Sequence, residues 1–180
     1  MKRTISLAVL ITWLSLAWAP PRLVAGAKGS PDDAIQRFIE QNIGLTSRPF
    51  TLAQLQLRLH AKTKSSRQVQ NLHVPGQTDR IVVLNDGKGV EVEAYVPATG
   101  PVLIERITLT AADRKLPAGL QIGHSSLDDM YSALGAGAEN EKGPGGAFAR
   151  RYYNIEHTFS ALLWFDHERL AGVEWSFPAD

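Results

Sequence analysis

The 180-residue chain contains no cysteine. That excludes disulfides, thiolate metal sites, a cysteine nucleophile and a lipidated N-terminal cysteine. A dominant charge is missing too: 19 Lys and Arg stand against 18 Asp and Glu, far from the basic patch that nucleic-acid binding requires. Beyond the first stretch, no apolar run approaches the roughly 20 residues needed to cross a bilayer. Motifs of nucleotide and metal chemistry are also lacking. No glycine loop ends in Gly-Lys-Ser/Thr, no His-Glu-x-x-His occurs, and His60, His73, His124, His157 and His167 form no i, i+4 pair. The chain therefore reads as having no metal site and no cofactor.

What is present begins with an address. Lys2 and Arg3 give a positive start, residues 4–19 are almost wholly apolar, and Ala25–Ala27 has the small-x-small form of a cleavage site. We expect a signal peptide over residues 1–27, cut near Ala27, and a destination in the periplasm or outside the cell. Losing Lys2, Arg3 and Arg22 leaves 16 basic against 18 acidic residues, a net charge of −2. An exported domain without disulfides rests on its core, and at about 150 residues it can bury roughly 68–70% of its unfolded surface.

Ser30, Pro31 and Asp33 supply an N-cap, a first-turn proline and a capping-box acid. With Ile35, Phe38, Ile39 and Ile43 on one face, they predict a helix over 31–43 ended by Gly44. A second pattern occurs twice. Thr51, Leu52, Leu55, Leu59 and Ala61 match Ser126, Leu127, Met130, Leu134 and Ala136, each pair 75 positions apart. Leu55, Leu57 and Leu59 also alternate as a strand would, but only a helix suits both copies. Three strands are expected after each helix. Turns fall at Asn85–Gly87 and Pro97–Pro101 in the first half, near Glu156–His157 and at Asp166–Arg169 in the second. The reading is α+β: a lead helix followed by two tandem modules, each a helix plus a three-stranded antiparallel sheet. The lead helix and first module occupy 28–115, and the second module 116–180.

The short helical start, "GLQIGHSSLDDMYSALGA" and a closing meander ending "LAGVEWSF" resemble the modules of BamE/SmpA-like outer-membrane lipoproteins. Two such modules in tandem resemble the architecture of the beta-lactamase inhibitory protein. The resemblance implies the tandem fold, and fold travels along such a likeness far better than function does. Without cysteine, neither a lipid anchor nor disulfides come with it.

Catalytic readings are weak. "GHSSL" at Gly123–Leu127 has Leu where a nucleophile elbow needs its last glycine, so Ser125 and Ser126 read as caps. Gly135–Gly146 reads as a mobile loop, Asp166–Glu168 as a solvated turn, and Asp128 and Asp129 as helix-dipole partners. Val69–Asp79 reads as an irregular loop whose Asn71, His73, Gln77 and Asp79 can hydrogen-bond a partner.

Strand alternation assigns Val90, Val92, Ala94 and Val96, with Phe159, Ala161, Leu163 and Phe165, to the core. The opposite face then shows Glu91, Glu93, Tyr95, Ser160, Leu162 and Trp164, joined by Arg106, Thr108 and Glu174. Tyr, Trp and Arg are enriched at binding hot spots. Tyr95, Arg106, Trp164, Glu174, Asn71 and His73 are thus the candidate partner-binding residues. The expected function is non-enzymatic: steric docking on another envelope protein. The alternatives are an immunity or inhibitor protein occluding a toxic or lytic enzyme, and a small-ligand carrier or enzyme using a cleft between the modules.

Overall fold

The computed structural model describes residues 30–46, 49–71 and 73–177; the signal peptide expected over 1–27 lies outside them. Helix α1 spans Pro31–Gln41. Ser30 Oγ accepts the Asp33 N–H at 3.2 Å while Asp33 accepts the Ser30 N–H at 2.9 Å, closing a capping box. The helix stops short of Ile43 because Asn42 turns to a positive φ, its side-chain amide donating to the Ile39 and Glu40 carbonyls.

Helices α2 (Leu52–Leu59) and α3 (Leu127–Leu134) have the same length and start alike. Thr51 pairs with Gln54 in one capping box, Ser126 with Asp129 in the other. Leu55 is buried and Leu57 exposed, so the helical period prevails over the strand alternative. His60, in the left-handed conformation, ends α2, and Gly135 ends α3.

Eight strands form one antiparallel sheet. They are β1 (Lys62–Gln70), β2 (Thr78–Asn85), β3 (Val90–Val96), β4 (Leu103–Leu109), β5 (Glu139–Lys142), β6 (Phe148–Tyr153), β7 (Ser160–Asp166) and β8 (Arg169–Ser176), in the order β1-β2-β3-β4-β8-β7-β6-β5. The chain thus winds inward from both margins, and the sheet closes at its centre where β4 pairs with β8. There Ile107 lies opposite Trp175 and Thr108 opposite Glu174.

Four strands follow α2 and four follow α3, where three were expected. The missed ones, β1 and β5, are the two edge strands. Their sequences, KTKSSRQVQ and ENEK, hold a single apolar residue, Val69, so no hydrophobic alternation marks them. Correspondingly, the expected glycine loop at 135–146 contains β5 and a 3-10 turn at Pro144–Gly146. The expected loop at 69–79 gives its ends to β1 and β2.

The four turns expected from the sequence each fall between two strands. Between β7 and β8, His167 and Glu168 both take positive φ (46° and 64°), the two-residue geometry that matches strand twist.

One face of the sheet meets the helices. Ile35, Phe38, Ile39, Leu55, Met130 and Leu134 pack in one cluster with Val82, Leu84, Val92, Ala94, Ile107, Leu109, Leu163, Val173 and Trp175. Each such large apolar side chain contributes about 1.5–3 kcal/mol on burial. Phe159 departs from its expected core position: it precedes β7 and is 38% exposed, its ring set edge-on to Phe177.

Candidate functional site

Cross-strand register fixes what the helix-free face presents. Glu91 lies opposite Thr108 and Glu93 opposite Arg106. Tyr95 lies opposite Ile81 on one side and Leu103 on the other, and Leu103 is 46% exposed. Glu174 faces Thr108 across the central seam. The candidates Tyr95, Arg106 and Glu174 therefore share one surface.

Ion pairs run across it. Arg106 reaches Glu93 at 3.1 Å and Glu174 at 3.7 Å, so one guanidinium links β3, β4 and β8. Lys64 meets Glu91 at 2.7 Å, and that hydrogen bond holds the Glu91 carboxyl below its usual range. Glu105, the extra residue of a β-bulge between β3 and β4, is pushed upward by burial first and by the charge of Glu93 second. Exposed pairs of this kind contribute only about 0–1 kcal/mol to stability. Their main effect is to fix a charge pattern on the surface.

Trp164 does not belong to that open surface. It is 6% exposed, and Ser160 and Leu162 on the same strand are buried with it. Trp164 packs with Leu162 and Ala149, flanked by Ala147 and Ala171. Two glycines make this possible. A Cβ at Gly172, directly opposite on β8, would collide with the indole, and one at Gly143 would stand 2.7 Å from the Trp164 Cβ. The strand pattern placed Trp164 on the outer face correctly but could not show that the 143–147 segment closes over it. The helix-free face is therefore closed around β6 and β7 and open across β1–β4.

The loop candidates divide as well. Asp79 is 1% exposed and accepts four hydrogen bonds: from the Tyr95 hydroxyl, Asn71 Nδ2 (2.6 Å), Gln77 Nε2 (2.9 Å) and the Ala98 backbone N–H (2.8 Å). The Tyr95 hydroxyl foremost, with these amides, lowers the Asp79 carboxyl to about 2 against the upward push of desolvation, and the same contact raises the Tyr95 phenol. Asn71 Oδ1 in turn accepts the backbone N–H groups of His73 and Val74, each at 2.8 Å. Asn71, Gln77 and Asp79 thus bind one another and Tyr95, forming a latch that fixes the β1–β2 loop. His73 stays exposed on that loop.

Compared with protein-family models, with curated proteins and with solved structures, the chain matches none.

The remaining polar clusters organise turns and caps. A shallow cleft of about 490 Å³ is lined by Gln121, His124, Ser125, Asp129 and Ser132 among others. Ser125 Oγ accepts the Gln121 N–H at 2.9 Å, while His124 Nε2 lies 2.5 Å from Asp113, so serine and imidazole serve different partners. Asp129 is engaged with Ser126, whose backbone N–H and hydroxyl lower its carboxyl. His157 stacks on Tyr153 at 5.2 Å, and His167 contacts Asp166. Among the described residues no group of three or more His, Cys, Asp or Glu is placed to hold a metal ion, and no helix is long and apolar enough to cross a membrane.

Proposed function

We propose that this chain is an exported, non-enzymatic protein-binding module of the cell envelope that docks sterically on another envelope protein. The observation that carries this reading is the uncovered sheet face over β1–β4. Arg106 sits there between Glu93 and Glu174, with Tyr95 and Leu103 alongside. An aromatic and an aliphatic group inside an ordered charge pattern is a composition that suits recognition. Tyr95 comes to the surface already oriented by Asp79, so little freedom remains to be lost on docking.

We further read the chain as a lead helix followed by two tandem modules, each a helix with its sheet. Supporting this are the equal lengths and matching caps of α2 and α3, and a strand order that mirrors about the β4–β8 seam. Each half-sheet covers only part of a core; joined, they share one.

A photo-crosslinking amino acid at Leu103 or Thr108 tests the docking face in cells making the protein. We expect one discrete adduct from these positions, lost with Arg106→Glu, and none from Leu57 on the helix side. Adducts arising equally from Leu57, or insensitive to Arg106→Glu, would refute the reading.

A further inference from the structure

The two margins of the sheet differ in construction. β5 is four residues long, and the chain just beyond it packs over Trp164. β1 is nine residues long, pairs only with β2, and has every side chain exposed except the partly covered Val69. Among the described residues no loop or helix backbone bonds to positions 63–69.

That margin has a definite charge. Lys62, Lys64 and Arg67 lie on it, and no carboxylate does. Lys64 occupies a bulge and is held by Glu91. After the bulge, Ser65–Gln70 pairs with β2 in unbroken register, leaving a regular six-residue outer edge. Arg67 lies opposite Ile81 and Val69 opposite Asp79, so both point to the open face. Arg67 closes no salt bridge with a described residue.

A second copy adding at this margin, β1 against β1, would set Lys62 and Arg67 of each copy against a strand that carries no carboxylate of its own, a repulsive arrangement. The edge is thus open to a strand but discouraged from pairing with itself. We infer that Ser65–Gln70 accepts an extended acidic segment of a partner protein by strand addition, with a carboxylate beside Arg67 and an apolar side chain two positions along beside Val69. Backbone hydrogen bonds would supply affinity and the alternate side chains specificity. This edge borders the open face that carries Arg106, but the peptide is read on the amides of 65–70 and the crosslinks at Leu103 and Thr108, so either assignment can fail without the other.

The test titrates the ¹⁵N-labelled chain with a blocked hexapeptide Thr-Val-Thr-Glu-Thr-Val (the Glu–Val peptide), whose Glu has a Val two positions to either side, with its Lys–Val counterpart carrying Lys for Glu, and with a Glu–Val peptide N-methylated along one edge. The Glu–Val peptide should shift the amide resonances of residues 65–70 and slow their hydrogen exchange. The Lys–Val and N-methylated peptides should bind at least tenfold more weakly. Arg67→Glu, at an exposed site where unfolding curves can verify the fold, should cost the Glu–Val peptide at least tenfold. Equal affinity for Glu–Val and Lys–Val peptides, indifference to N-methylation, or shifts at 65–70 that grow with protein concentration alone would each overturn the assignment.

Discussion

Trp175 donates its indole N–H to the backbone carbonyl of Phe38 at 3.3 Å, and the two rings lie 5.6 Å apart. The bond adds a second donor to a carbonyl that already accepts the Asn42 N–H at the end of α1, and it anchors the lead helix to the central strand β8. Trp175→Ala should therefore cost about 3–5 kcal/mol, the range for deleting a large buried aromatic. Trp175→Phe keeps part of the ring and should cost less. Urea denaturation midpoints, read with the slope, separate the two.

Gly172 lies flat beneath the Trp164 indole. Gly172→Ala should destabilise by about 1–3 kcal/mol through overpacking. Trp164→Leu would make room, so the double variant should be more stable than the sum of the two single losses. A double-mutant cycle measures that coupling; additivity would show that the two residues do not interact. Trp164→Ala alone would destabilise the fold, which is why it is unsuited to testing docking.

The Asp79 latch gives a pH dependence of definite sign. Its carboxyl titrates at about 2 in the fold and near 3.9 when unfolded, so its contribution is complete above the unfolded value and is lost as pH falls toward 2. Tyr95 is shifted the other way; its contribution is complete below about 10 and is lost on further rise. Asp79→Asn should be less stable than the parent at pH 7, and the gap should close between about pH 4 and pH 2. Thermal unfolding of both proteins at matched ionic strength checks this.

The paired caps predict paired losses. Thr51→Ala and Ser126→Ala each remove the acceptor of a capping box and should each cost about 1 kcal/mol. Far apart in sequence and on different helices, they should add. Chemical denaturation of the two single variants and the double variant tests it.

Much of this architecture was legible in the sequence because its signals are local. Ser30 with Asp33, Thr51 with Gln54, and Ser126 with Asp129 mark helix starts by chemistry acting over three residues. Alternating valines and leucines mark β2, β3 and β7. The edge strands escaped because they are defined by a neighbour, not by burial: KTKSSRQVQ has no apolar face to reveal it. The site was legible only as a face. Alternation put Tyr95, Arg106, Glu174 and Trp164 on one side of the sheet, but which of them stays uncovered depends on where residues 143–147 fold. Likewise, the polar set Asn71, Gln77 and Asp79 looked outward-facing because nothing in its own segment discloses Tyr95 as its partner.

The order of strands also carries a temporal consequence. β8 is the last strand described, yet it occupies the middle of the sheet, between β4 and β7. While the ribosome is still making the C-terminal residues, the earlier strands can assemble only as two fragments with an unfilled slot between them. Nascent chains halted before Arg169 would remain soft and easily digested by proteases. Completion of the sheet is thus deferred to the last strand described.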